Sequence, residues 1–121
     1  MVLLIRMKIC NEVVLVLIAR TWHGVVPLNN KEAFLAYENE TGIKDTTSLP
    51  GNRGAFLKVV EQDEYAHFFL CTLWDNMESV ISYAGESPTV AVTYPRDKEL
   101  GLISDPIVIL QEVTTAKNPF Q

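Results

Sequence analysis

The side chains best suited to chemistry fall in three places: Arg20-Thr21-Trp22-His23, the run from His67 through Thr72-Leu73-Trp74-Asp75, and Tyr94-Pro95-Arg96-Asp97. A guanidinium, an imidazole and a phenol serve general acid–base chemistry on a small ligand, the cation stabilising a developing anion and the others holding or moving a proton. Arg20 shares a strand face with Trp22 and is expected either as a pocket cation or as half of a structural ion pair. His23 stands beside Gly24, where it can look into a cavity mouth or into solvent. Tyr94 lies on a segment able to close over a pocket, with Asp97 just beyond, although turn and capping roles explain both equally well. His23, Arg20 and Tyr94 are therefore the catalytic candidates. Trp74 sets a rigid indole at a strand end, and alternation puts Thr72, Leu70 and Phe68 on its face. With Trp22 these are the candidates for ligand contact, and packing of the indole in a core or interface is the competing reading. His67 has the opposite parity to Trp74 and is expected outside the pocket.

Other chemistries find no footing in the chain. It has no Ser/His/Asp order, no P-loop and no G-x-G-x-x-G. Cys10 and Cys71 make no metal-ligand spacing with either histidine, so neither a metal nor another cofactor is expected. Cys71 sits in an apolar strand pattern and reads as a buried free thiol of a reducing, cytoplasmic protein.

The elements that must position these residues follow from periodicity and punctuation. Val13 to Trp22 is short and β-branched, hence a strand, with a loop at Gly24 and Pro27. Asn29 or Asn30 is placed to cap a helix carrying Ala33, Phe34, Tyr37 and Thr41 on one side, and Gly42 to end it as C′. A turn at Leu49-Pro50-Gly51-Asn52 leads to strands over 54–61 and 65–74, joined tightly at Gln62-Asp63-Glu64. Asp75 and Glu78 have capping-box spacing ahead of a second helix. Its buried stripe is expected to be Met77, Val80, Ile81 and Ala84, and its end Gly85. Ser87-Pro88 suggests a further helical turn to about Thr93, and 106–113 the last strand. Residues 1–12 read as an N-terminal extension that can add an edge strand, 13–114 as one domain, and 115–121 as a polar tail.

The 121 residues, 48% hydrophobic and 21% charged, suit one globular domain. A net charge of −5 with scattered Lys and Arg argues against nucleic acid or an anionic membrane as partner. The apolar N-terminus is broken by Arg6, Lys8, Asn11 and Glu12, and its longest clean run, Val13 to Ala19, is far short of the roughly 20 residues of a spanning helix.

The order β-α-β-β-α-β is the split βαβ, ferredoxin-like α+β arrangement, with a four-stranded antiparallel sheet and both helices on one face. Yet the strand ending at Trp74 is apolar on both faces, as are the first and last strands. Helices on one side leave the other uncovered. A second copy is the nearest source of a cover, so a homodimer with its sheets face to face is expected.

Ala19-Arg20-Thr21-Trp22, Pro50-Gly51-Asn52-Arg53-Gly54, Thr72-Leu73-Trp74-Asp75, Ala84-Gly85-Glu86, Tyr94-Pro95-Arg96-Asp97 and Gln111-Glu112-Val113 together resemble the dimeric α+β barrel proteins, in particular the antibiotic biosynthesis monooxygenase domain. The resemblance spans roughly residues 13 to 113 and implies a sheet-on-sheet dimer with a cavity in each protomer, Trp74 taking the place of the family's pocket tryptophan. Monooxygenases of this kind need no metal or flavin, because a deprotonated phenol or quinol itself gives electrons to oxygen. The resemblance thus implies a cofactor-independent monooxygenase-like protein that binds or oxidises a small planar aromatic. The fold also hosts haem-degrading enzymes, whose ligating histidine follows the tryptophan; 82–97 contains none, so haem is not expected. A non-catalytic ligand-binding or structural homodimer is the second reading, and an isomerase or lyase of a lactone or dienol, with His23 or Asp97 as base, the third.

Overall fold

The computed structural model describes residues 5–9 and 12–115, and side chains from 16 to 114. One antiparallel sheet contains β1 (Ile5–Ile9), β2 (Glu12–Pro27), β3 (Asn52–Gln62), β4 (Tyr65–Trp74), β5 (Ile103–Ser104) and β6 (Ile109–Thr115). Helices α1 (Lys31–Glu38), α2 (Lys44–Thr47) and α3 (Met77–Ala84) complete the α+β architecture. The order β3-β4-β2-β6 across the sheet is compatible with a ferredoxin-like fold.

β2 organises everything else. Its 16 residues pair with β1 and then β4 along one edge, and with β6 and then β5 along the other. It outruns the strand expected to stop at Trp22, because its ladder to β4 continues to Pro27 opposite Tyr65. Gly24 lies inside this strand rather than in a loop, and a Cβ there would stand 2.5 Å from the Trp22 ring. The missing side chain is what lets the indole lie down on its own strand. β3 and β4 form the expected hairpin through Asp63-Glu64, with Asp63 at φ 58°.

The first helical segment does not end at Gly42. It passes through a π-helical turn, Asn39–Ile43, into α2. Phe34, Glu38, Gly42 and Thr46 form its buried stripe, while Ala33 is exposed. A stripe with four-residue steps drifts around a regular 3.6-residue helix, and the wider π turn holds it on the sheet-facing side. Asn30 makes no side-chain cap; its amide donates instead to the Leu100 carbonyl at 2.9 Å.

At α3 the cap is Asn76, whose Oδ1 accepts from the Ser79 N–H at 2.9 Å, and not the expected Asp75/Glu78 box. Of the expected stripe only Val80 is fully buried; Met77 and Ile81 are exposed at 39% and 42%. Gly85 closes the helix at φ 80° as anticipated. No helical turn follows Ser87-Pro88. Between Gly85 and Leu102 the chain is a loop with a single bridge, Val90 to Ile107, and Arg20 ties it to β2 by donating to the carbonyls of Pro88 and Val90.

Trp22, Val26, Phe34, Ala66, Phe68, Leu70, Leu100 and Val108 form the main core, between the sheet and the helix layer. Among the described residues the opposite sheet face has a small cluster of Leu17, Ala19 and Leu73. On the same face, by register, are the exposed side chains of Phe56 (47%) and Val60 (37%) along the β3 edge and of Ile103 (64%) and Ile109 (65%) along the β5 and β6 edge. No helix among the described residues is long and apolar enough to cross a membrane. The expected C-terminal tail lies outside the described residues, apart from Thr115, which ends β6.

Candidate functional site

Under the helix layer, Arg20 and Trp22 of β2 and Leu70 and Thr72 of β4 point into a cavity of about 30 Å³. Its roof comes from Glu38 and Thr46 on the helical segment, Tyr83 on α3, and Val92, Tyr94, Asp97 and Leu102 on the long loop. Six of the residues proposed from sequence meet here: Arg20, Trp22, Leu70, Thr72, Tyr94 and Asp97. The common placement of the first four follows from strand alternation, because Arg20 pairs with Thr72 and Trp22 with Leu70.

His23 does not reach this cavity. One residue beyond Trp22, it faces the other side of the sheet, and its Nδ1 stands 3.0 Å from Asp105 Oδ2. Its Nε2 lies 3.0 Å from Nδ1 of His67, which occupies the same outer face. The carboxylate only accepts, so Nδ1 of His23 carries a proton; with both rings neutral, His67 then donates to His23 Nε2. The ring centroids are 5.3 Å apart with planes at 13°, so the rings meet edge to edge nearly in one plane. His67 thus lies outside the pocket, and His23 joins it there for the same reason of parity. The expectation of His23 at the cavity mouth fails because β2 continues as a regular strand through it.

Trp74 and Phe68 share the cavity's side of the sheet without forming its wall. The indole turns back along its own strand, donating from Nε1 to Thr72 Oγ1 at 2.8 Å, and stacks on Tyr83 with centroids 6.2 Å apart. It is fully buried and supports two wall residues. Phe68 packs edge-on against Phe34, centroids 4.8 Å apart, in the main core.

The polar character of the cavity comes from groups with unusual settings. Arg20 is 5% exposed, and burial pulls its pKa down. Among the described residues it has no carboxylate partner. Nε and Nη2 are used by the Pro88 and Val90 carbonyls at 3.1 and 2.8 Å, and the guanidinium carbon lies 5.5 Å from the Tyr83 ring centre. Tyr94 donates to Asp45 Oδ2 at 3.1 Å, and its oxygen lies 2.9 Å from the Tyr83 hydroxyl. Burial above all pushes both phenols up, so both remain protonated.

Glu38 escaped the sequence reading. It is 6% exposed, with no hydrogen-bond or ion-pair partner among the described residues, and burial followed by the charge of Asp97 raises its pKa to about 7. Asp97, also raised chiefly by burial, accepts from the Tyr94 backbone N–H at 2.8 Å. Gly42 makes room for Glu38, since a Cβ there would stand 2.2 Å from Glu38 Oε1. The signal was available as a carboxylate four residues after Phe34 and four before a glycine. A regular helix ending at Gly42 gave no reason to place that carboxylate inside.

A second, open cleft of about 440 Å³ lies outside, bounded by Asp45, Ser48, Leu49, Ser82, Tyr83, Val92 and Tyr94. Tyr83, Val92 and Tyr94 belong to both walls, so they are the partition between cleft and cavity. No group of acidic, histidine or cysteine side chains fit to hold a metal occurs among the described residues.

Fold and cavity together define an α+β protein with a small, enclosed, polar site beneath its helix layer. Neither a family model nor a curated protein matches the chain.

Proposed function

We propose that this protein binds a small planar aromatic of the phenol or quinol type and acts on it as a cofactor-independent, monooxygenase-like oxidoreductase. The observation that carries this reading is the polar end of the cavity, where a buried cation without a carboxylate partner and a buried carboxylate without a hydrogen-bond partner among the described residues line about 30 Å³. That volume holds roughly two waters, and an aromatic ring needs on the order of 150 Å³. The ring therefore sits in the outer cleft, and its hydroxyl reaches the cavity once Tyr94 leaves Tyr83 and Asp45. In the oxidation of an anthrone-type phenol by dioxygen, two C–H bonds of the ring methylene break. One oxygen atom becomes the carbonyl, and the other leaves as water. The protein's part is to remove the phenolic proton and hold the anion away from water.

The proposal includes a homodimer with the outer sheet faces apposed, supported by the exposed apolar side chains of Phe56 and Val60 at one edge of that face and Ile103 and Ile109 at the other. The free thiol of Cys71 supports a reducing, cytoplasmic setting. A second reading, a non-catalytic ligand-binding dimer, is favoured by the smallness of the closed cavity.

Oxygen consumption with a panel of hydroquinones and anthrone-like phenols tests the enzyme reading. Uptake above the protein-free rate, altered in Tyr94→Phe, is the expected result. Rates equal to the protein-free control across the panel remove the enzyme reading for those substrates and leave the binding one.

A further inference from the structure

We infer that Glu38 is the proton acceptor of this site, and that the site therefore selects aromatics bearing a neutral, weakly acidic hydroxyl over aromatic carboxylates. The inference rests on the phenol-binding reading and adds to it both a residue and a discrimination.

The geometry points to Glu38 because its carboxylate is a cavity wall without a protein hydrogen-bond or ion-pair partner among the described residues. A buried polar side chain ordinarily has a partner, and an exception calls for an explanation. Here the exception is held in place by its surroundings. Glu38 faces the sheet one helical turn after Phe34, and the π turn that follows brings Gly42 beneath it, where the glycine leaves the space its oxygen fills. Single π turns inside helices recur at functional sites. The other ionisable groups around it are Arg20 on β2, Tyr83 on α3, Tyr94 and Asp97 on the loop, and Asp45 on α2, reached through Tyr94. Tyr83 and Tyr94 are pushed up and stay protonated, and Arg20 stays charged, so neither phenol and not the guanidinium takes a proton near neutrality. Asp97 is tied to the Tyr94 backbone. Glu38 alone is poised there, at about 7.

The step itself is a single proton transfer. The ligand's O–H bond breaks, an O–H bond forms on a Glu38 oxygen, and the electron pair remains on the ligand oxygen beside the Arg20 guanidinium. So small a cavity brings that oxygen within reach of both walls. A ligand that arrives as a carboxylate has no proton to give, and it adds a third negative charge to those of Glu38 and Asp97.

Three ligands on one ring system test this: 2-naphthol, 2-methoxynaphthalene and 2-naphthoate, titrated calorimetrically from pH 5 to pH 8 into wild type, Glu38→Gln and Gly42→Ala. In wild type the affinity for 2-naphthol should rise about tenfold per pH unit below about 7 and level off above it, because the ligand then competes with a proton for Glu38. Binding below that point should release a proton. The methoxy compound should show neither effect, and 2-naphthoate should weaken as pH rises. Glu38→Gln should bind 2-naphthol with no pH slope, and Gly42→Ala, which crowds the carboxylate, should reduce the slope while keeping the charge. Equal slopes for 2-naphthol in wild type and Glu38→Gln overturn the assignment of Glu38 and leave the aromatic-binding reading standing. Failure of 2-naphthol and its methyl ether alike to bind wild type removes both.

Discussion

Glu38 shows how a residue can be poor for stability and still be kept in place. Its carboxyl titrates near 4.5 when exposed and near 7 when folded, so between those values the folded chain holds more protons than the unfolded one. Folding stability therefore falls as pH rises through that window and is level above it. The shift corresponds to about 3 kcal/mol at most. Glu38→Gln should accordingly gain up to about 3 kcal/mol over wild type at pH 8 and almost nothing near pH 4, as read by urea unfolding at both pH values. A uniform loss at both values would mean that the carboxylate has a structural partner. His23 carries the opposite expectation. Bound to Asp105 and His67 on the far side of the sheet, it has no line to the cavity, so His23→Ala should leave binding of 2-naphthol within twofold of wild type. A tenfold loss would return it to the site.

Elements decide where such residues end up. The cap of α3 moved by one position from its expected place, because Asp75 is buried at the end of β4 with its N–H donating to the Gly51 carbonyl at 2.8 Å. Asn76, free of that strand, turns its side chain onto Ser79. Asn76→Ala should cost about 1 kcal/mol in urea unfolding, and Glu78→Ala less than about 0.5 kcal/mol. The reverse ranking would restore the capping box. Asp75 itself is under strain of another kind. Oδ1 has no hydrogen-bond partner among the described residues, Arg53 stands 3.7 Å away, and burial raises its pKa. The hairpin of β3 and β4, the turn before it and the end of α3 at Gly85 were all legible, because each rests on a local steric rule. The π turn was not. Its four-residue stripe of Phe34, Glu38, Gly42 and Thr46 contains two polar residues and a glycine, and reads as no stripe until the sheet beneath it is known.

At the scale of the whole molecule, the outer sheet face is the open question the chain poses to a second copy of itself. Exposed apolar side chains from β3, β5 and β6 lie on that face. An obligate interface is expected, so Ile109→Asp should shift the elution volume of the micromolar protein from dimer to monomer. A wild-type monomer at that concentration removes the dimer outright. The His23 and His67 pair lies on the same face, on the two central strands between those side chains.

By itself the sequence determined the α+β class, the order of the main strands and helices, and which strand residues share a face. Those properties depend on the two-residue period of a strand and on glycine and turn chemistry, which act over a few positions. Placement of Arg20, Trp22, Leu70 and Thr72 together on one side was therefore within its reach. Only the tertiary structure decided that β2 runs on past His23 and turns it away, that the Trp74 indole folds back under the cavity instead of into it, and that Glu38 lies inside. Each of those outcomes depends on a neighbour distant in sequence: β4 opposite β2, Tyr83 over Trp74, and Asp97 near Glu38.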